Sequence, residues 1–187
     1  MSEKRIEPLR AWRRLHSRVI CDNNWLRVQI DRVELPDGRP YDYTIIHRHT
    51  DGVAALVFDD DNRLLLEREY RYPVDEVIWQ LPGGLVDPGE EPLAAMQREL
   101  TEETGYVAET WEYLGVFWDN PALSAMKIHL FLARQVHDSG KIHHDEAEFL
   151  EVTWRSWAWV KEAVRAGEIK ERVLLAGMGM LLARGWC

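Results

Sequence analysis

The sequence predicts a mixed α/β chain of the α+β type, in which antiparallel hairpins dominate and a few amphipathic helices pack against them. Three observations predict it. Apolar and polar side chains alternate in short runs, turns rich in glycine and proline separate those runs, and helical periodicity is confined to 91–104, 157–166 and 172–183. Strands and helices do not alternate as a repeating βαβ array requires, and no internal repeat or low-complexity tract is present.

The start carries five basic residues, Lys4, Arg5, Arg10, Arg13 and Arg14, without the apolar stretch of a signal peptide, and reads as a solvated terminus. Alternation then places Leu26, Val28 and Ile30 on one side of a strand. Pro36-Asp37-Gly38 supplies a turn, and 41–46 completes a β-hairpin. A second hairpin is expected from 53–58 and 64–69, flanking Asp59, Asp60, Asp61 and Asn62. That acidic turn lacks the fixed glycine and terminal glutamate of a calcium loop and reads as a solvated turn.

Pro73 and Pro82-Gly83-Gly84 interrupt order. A helix follows over 91–104, with Pro92 tolerated in its first turn and Gly105 as its stop. Strands are expected at 111–117, 128–133 and 152–154, then helices at 157–166 and 172–183, the second with Val173, Leu174, Ala176 and Leu181 on its apolar face. Residues 1–50 read as an N-terminal β extension and 51–187 as the main domain.

At 187 residues, with 46% hydrophobic and 29% charged side chains, the chain can bury a substantial core. Cys21 and Cys187 form neither a disulfide framework nor a zinc spacing, which fits a reducing cytoplasm. No apolar run is long enough to span a bilayer, so no membrane partner is expected. The formal net charge of -9 repels nucleic acid, and an anionic small substrate would need cations at its site. Of the nine tryptophans most are expected in the core, with Trp79 and Trp118 able to stack on a base.

Residues 84–106 read GLVDPGEEPLAAMQRELTEETGY, a glycine-rich loop feeding a helix that bears three carboxylates. At 100° per residue, Glu99 and Glu103 lie one turn apart with Glu102 beside them, within an arc of roughly 100°. Leu93, Met96 and Leu100 lie outside that arc and are expected to anchor the helix. Gathering like charges in this way weakens an isolated helix, and a bound cation reverses the sign. Oxygen ligands without Cys or His suit Mg²⁺ or Mn²⁺, so phosphoryl or pyrophosphate cleavage is the expected chemistry. Arg98 can pair with Glu102 at i, i+4 or with Glu90, and is assigned to holding a carboxylate in place. No Gly-Lys-Ser/Thr follows Gly83-Gly84, which excludes a P-loop, and His47, His49, His143 and His144 read as surface histidines.

The stretch 84–106 resembles the Nudix box, G-x5-E-x7-R-E-U-x-E-E-x-G-U, with U a bulky apolar residue and Tyr106 at the last U. Likeness to the ADP-ribose pyrophosphatase branch extends further, through Glu69-Tyr70-Arg71-Tyr72-Pro73, Leu81-Pro82-Gly83-Gly84 and Pro121. This resemblance implies a Nudix fold over 51–187, a mixed β-sheet sandwiched between helices. It also implies that the extension over 1–50 pairs with a second subunit to make a homodimer. It implies a divalent metal held by the carbonyl of Gly83 and by Glu99 and Glu103, with Glu102 in or near the metal shell. A later loop supplies a general base and a further ligand; Glu146 is assigned as base and Glu148 as ligand, with Glu151 as the alternative. Arg68, Arg71 and Pro121 fall on the substrate side.

The implied reaction is attack of water on one phosphorus of a nucleoside diphosphate sugar, converting ADP-ribose to AMP and ribose 5-phosphate. Relatives that hydrolyse ADP-ribose often carry Pro-Gly-x-Ser-x-Glu after the subfamily proline. Here that glutamate is Met126, which leaves GDP-mannose or another such sugar as an alternative substrate. Two rival readings are a non-catalytic Nudix-fold nucleotide sensor and an enzyme releasing pyrophosphate from damaged nucleoside triphosphates.

Overall fold

The computed structural model describes residues 10–143 and 149–186, so the expected base Glu146 and ligand Glu148 lie outside the described residues. The chain divides into two compact units, one comprising 1–49 with 119–126 and the other 50–118 with 127–187.

The first unit is an antiparallel sheet of β1 (Arg13–Asp22), β2 (Leu26–Glu34) and β3 (Pro40–Arg48), in the order β1-β2-β3. The expected hairpin is β2–β3. Its turn closes through Gly38 N–H donating to the carbonyl of Leu35 at 2.9 Å, with Gly38 at φ +85°, a conformation that glycine adopts without steric cost. Arg13 and Arg14 are exposed as expected, but they are strand rather than tail, because they begin β1 opposite Glu34 and Val33 of β2. Arg13 grips Glu34 through Nε at 3.3 Å and Nη2 at 2.8 Å. Main-chain pairing and such cross-strand contacts carry β1, whose side chains are nearly all exposed. The segment 119–126 is fastened to β3 by Ile46 N–H donating to the carbonyl of Leu123 and by the Tyr43 hydroxyl donating to the carbonyl of Ala122, both at 2.7 Å.

The second unit holds two sheets. In one, β4 (Gly52–Val57) runs parallel to β8 (Lys127–Asp138), which pairs antiparallel with β7 (Tyr106–Trp118). In the other, β5 (Arg63–Arg71) lies between β6 (Glu76–Gln80) and β9 (Glu151–Ser156), antiparallel to both. The second expected hairpin is therefore not a ladder. Its two runs lie in different sheets, and among the described residues they meet at the bridge between Phe58 and Leu64. All six residues of β4 are buried, the pattern of a strand covered on both faces, and β8 rather than its neighbour in sequence completes it. The Asp59–Asn62 turn is a turn as expected, with Asp59 accepting from Arg63 N–H and Nε at 2.7 Å each.

Helix α1 (Pro92–Thr104) packs Ala95, Met96 and Leu100 against Val53, Ala55 and Val57 of β4, with Leu65, Phe131 and Ala133 in the same cluster. Leu93 is not an anchor: it is 39% exposed, and Ala95 takes the core place. Truncating a fully buried side chain such as Leu100 to alanine would cost about 2–5 kcal/mol. Helix α2 (Trp157–Arg165) starts where Ser156 Oγ accepts from Trp159 N–H at 3.2 Å. Helix α3 (Arg172–Ala183) meets β4 at Gly177, where an added Cβ would stand 2.9 Å from Leu56 Cδ1. Leu56 alternates with Ala55 and Val57, so α1 and α3 cover opposite faces of β4, giving the helix–sheet–helix layering that the sequence resemblance implies. Among the described residues no helix is long and apolar enough to cross a membrane.

Candidate active site

The site is built where β6 ends. Leu81-Pro82-Gly83-Gly84 runs along β4, with Ala55 N–H donating to the carbonyl of Pro82 at 3.1 Å and Val53 N–H to that of Gly84 at 2.9 Å. The two closing glycines stand in tight quarters for different reasons. Gly83 sits at φ +155°, where an added Cβ would lie 2.2 Å from the carbonyl oxygen of Val53; at Gly84 it would lie 2.3 Å from Glu99 Oε1. The loop folds back through a turn in which Glu90 N–H donates to the carbonyl of Asp87 at 2.9 Å, then enters α1 at Pro92, whose missing N–H costs nothing there. The helix stops at Gly105, φ +74°, whose N–H donates to the carbonyl of Thr101.

This path brings the expected carboxylates to the glycine turn. Glu99 packs against Gly84, and Glu103, 6% exposed, accepts from Gly83 N–H through Oε2 at 2.8 Å. Arg98 holds several acidic groups together. It meets Glu90 through Nε at 3.2 Å and Nη2 at 3.1 Å, Glu99 Oε1 at 3.0 Å and Glu102 Oε2 at 3.1 Å, and donates to the carbonyl of Leu85 at 3.1 Å. Hydrogen bonding to Glu90 raises the Arg98 pKa most, partial burial opposes it, and Glu99 and Glu102 add to the rise. The same contact with Arg98 holds the Glu90 carboxyl below its usual range.

Two residues unmarked in the sequence join this group. Glu67 lies in β5 directly after Leu64, Leu65 and Leu66 and is fully buried. Burial pushes its carboxyl up to about 7; contacts with Gln80 and Glu103 lower it, the charge of Glu69 raises it further, and Arg71 opposes. Gln80 of β6 donates from Nε2 to Glu67 Oε2 at 3.3 Å and to Glu69 Oε2 at 2.9 Å. Its amide oxygen accepts from Arg71 Nε at 3.1 Å and Nη2 at 2.8 Å. The one sequence signal for Glu67 is a charge at the end of an apolar strand run.

The other expected residues are placed as follows. Arg68 meets Glu151 Oε2 at 3.0 Å and lies 5.1 Å from the Trp79 ring centroid, which gives Glu151 a cationic partner. Arg71 pairs with Glu69 Oε2 at 2.8 Å. Trp79 packs edge-on against Trp159, 5.1 Å between centroids, whereas Trp118 is 61% exposed. Pro121 and Met126 belong to the first unit, within 119–126.

Among the described residues no three His, Cys, Asp or Glu side chains already converge as a metal cage. The donor set nevertheless fits a hard cation. Glu99 and Glu103 crowd the Gly83–Gly84 turn, and the buried Glu67 Oε1 has no hydrogen-bond partner among the described residues, so carboxylate oxygens, the donors that a hard cation takes, gather at this turn.

A loop–helix glutamate motif on a sheet layered between helices defines a class. The family model described as NUDIX domain matches residues 48–175, and the chain belongs to the Nudix family of hydrolases, which use divalent metal ions. A second model, the nucleoside diphosphate sugar hydrolase N-terminal domain, matches residues 12–46. The chain is 34% identical over 128 residues to a methanol dehydrogenase activator of Bacillus methanolicus, covering 68% of this chain and 69% of that protein. It is also 34% identical over 124 residues to an ADP-ribose pyrophosphatase of Bacillus subtilis, covering 66% of each. The chain thus spans about two thirds of these relatives. A solved structure described as an ADP compounds hydrolase shares the fold, with a TM-score of 0.84 at 23% identity over 96% of both chains.

Proposed function

We propose that this chain hydrolyses the pyrophosphate bond of a nucleoside diphosphate sugar, with ADP-ribose the leading substrate, to give AMP and ribose 5-phosphate. Mg²⁺ is the assigned cation and Mn²⁺ the alternative. The observation that carries the reading is the packing of Glu99 and Glu103 onto the Gly83–Gly84 turn, with Arg98 gripping the flanking acids. The substrate class is supported by the match to the nucleoside diphosphate sugar hydrolase N-terminal domain and by the Bacillus subtilis pyrophosphatase.

The carbonyl of Gly83 and the carboxylates of Glu99, Glu103 and Glu148 would hold the cation, with Glu102 beside them. A bound divalent ion offsets phosphate charge and makes water more acidic. Glu146 accepts the proton of the attacking water, and Arg98 fixes the angle at which the helix presents its acids. Arg68 and Arg71 are each roughly half exposed and already held by carboxylates, which limits their rotamers before they meet an anionic substrate.

The reading includes a cytoplasmic homodimer. The first unit exposes Trp12, Leu15, Val19, Ile20, Trp25 and Tyr41, an apolar set suited to a second copy, and light scattering on the purified protein tests it.

Chromatography of ADP-ribose incubated with the protein and Mg²⁺ tests the chemistry. AMP and ribose 5-phosphate are the expected products. Faster cleavage of GDP-mannose would move the substrate to the alternative that Met126 favours. Binding without products would replace the enzyme reading with a sensor, and release of pyrophosphate from nucleoside triphosphates would replace the substrate class.

A further inference from the structure

We propose that Glu67 is a further carboxylate of the divalent-cation site, a ligand contributed by β5 and absent from the loop–helix motif. The inference rests on the reading that Gly83, Glu99 and Glu103 hold the cation.

Glu67 sits opposite Gln80 of β6 and Val152 of β9, in the middle strand of its sheet, with no solvent exposure. An ionised carboxylate in such a place needs a compensating charge or a full set of donors. It has neither. Oε2 accepts one long bond from Gln80, and Oε1 has no donor among the described residues.

The neighbouring acids bring no positive charge to it. The carboxylate of Glu103 lies within hydrogen-bonding reach of Glu67, and Glu69 follows two residues on, on the same side of β5. The adjacent cation is Arg71, whose guanidinium is committed to Gln80 and Glu69. Gln80 cannot supply more. Its oxygen faces Arg71, which fixes Nε2 toward the acids, and its two protons already serve Glu67 and Glu69.

Two carboxylates that meet out of water, one with an unsatisfied oxygen, need a positive group between them. Glu103 is already assigned to the cation, so an ion bound to it lies next to Glu67. A hard dication takes carboxylate oxygens and leaves its other positions to water, carbonyl and phosphate oxygens.

Titration with Mn²⁺ in the absence of substrate, reading free ion by electron paramagnetic resonance, tests this without turnover. Glu67→Gln keeps the volume and removes the charge. It is expected to weaken the tightest Mn²⁺ site roughly 10- to 100-fold, the range seen when groups supporting a metal are removed. The melting temperature of the metal-free variant is expected to stay level or rise, while the rise produced by Mg²⁺ shrinks. Glu67→Met, of similar volume and without polar oxygen or nitrogen, repeats the measurement should the amide variant fold poorly. Superimposable Mn²⁺ isotherms for variant and wild type would overturn the proposal and leave the Glu67–Glu103 contact as one bridged by a proton. No Mn²⁺ uptake by the wild type would overturn the underlying metal assignment, and this inference with it.

Discussion

The main-chain N–H of Gly83 donates to Oε2 of Glu103 at 2.8 Å, so a single carboxylate ties the last turn of α1 to the turn that leaves β6. The tie spans 20 residues of sequence and closes the glycine loop at its start, as Arg98 closes it farther on through Leu85 and Glu90. The loop is therefore fixed by the same acidic helix that would bind the cation, and its geometry and its charge can be separated by mutation.

Gly83→Ala and Gly84→Ala separate them by steric means. At Gly83 the new methyl would meet the main chain of Val53 and Ala54, at 2.2 and 2.7 Å, in buried β4 that cannot yield. A stability loss of about 1–3 kcal/mol or more is expected, seen as a lower urea midpoint. At Gly84 the obstacle is the end of the Glu99 side chain, which can swing away. Gly84→Ala should keep its melting temperature within a few degrees and lose activity and Mn²⁺ affinity. Full activity in Gly84→Ala would remove Glu99 from the metal set.

Glu103→Gln separates them by charge. The amide can still accept from Gly83 N–H through its oxygen, and its N–H can donate to the neighbouring Glu67 carboxylate. The metal-free variant should melt no lower than wild type, while turnover of ADP-ribose falls by orders of magnitude. Unchanged Mg²⁺-dependent hydrolysis would discard the assignment.

The helix and its acids were legible in the sequence because spacing alone fixes which side chains share a helical face. Glu99 and Glu103 reach one turn in three dimensions by the same arithmetic that pairs them on a helical wheel. Three features were hidden for physical reasons. The polar side chains of β1 hide the strand to which Arg13 and Arg14 belong, since its stability comes from pairing with β2. β4 and β5 look like a hairpin locally, yet β4 finds β8 about seventy residues on, a non-local choice set by burial on both faces. Glu67 carries no local mark of its role, because a glutamate on a strand acquires its environment from the helix that packs over it.

Arg98→Lys tests whether the grip on the acids depends on shape or only on charge. A lysine keeps one positive charge but cannot reach Glu90, Glu99, Glu102 and the carbonyl of Leu85 together, as the guanidinium fork does. A loss of about 1–2 kcal/mol is expected, or roughly 2–8 °C in melting temperature for a chain of this size. Mg²⁺ should restore more stability to this variant than it adds to wild type, since the cation offsets the acids that Arg98 had held. Equal gains in the two proteins would mean that Arg98 does not serve the cation site.

Asp31 supplies a pH test in the first unit, remote in sequence from the glycine loop. The side chain is 5% exposed on β2, and burial raises its pKa. Hydrogen bonds from Ser17 Oγ and Gln29 Nε2, both to Oδ1 at 2.6 Å, with the charges of Arg14 and His47, outweigh that effect and hold the carboxyl below its ordinary 3.8. A carboxyl that is more acidic folded than unfolded stabilises the fold fully above its unfolded pKa, and this stabilisation disappears as pH falls through the lower native value. Asp31→Asn should therefore cost about 1–3 kcal/mol at pH 7, as expected for hydrogen bonds to a charged acceptor. Urea unfolding of both proteins measured at intervals from pH 7 downward should show the gap narrowing below pH 3.8. A gap that stays constant over that range would mean that Asp31 is held by neutral hydrogen bonding, and that its charge contributes nothing to the β1–β2 pairing.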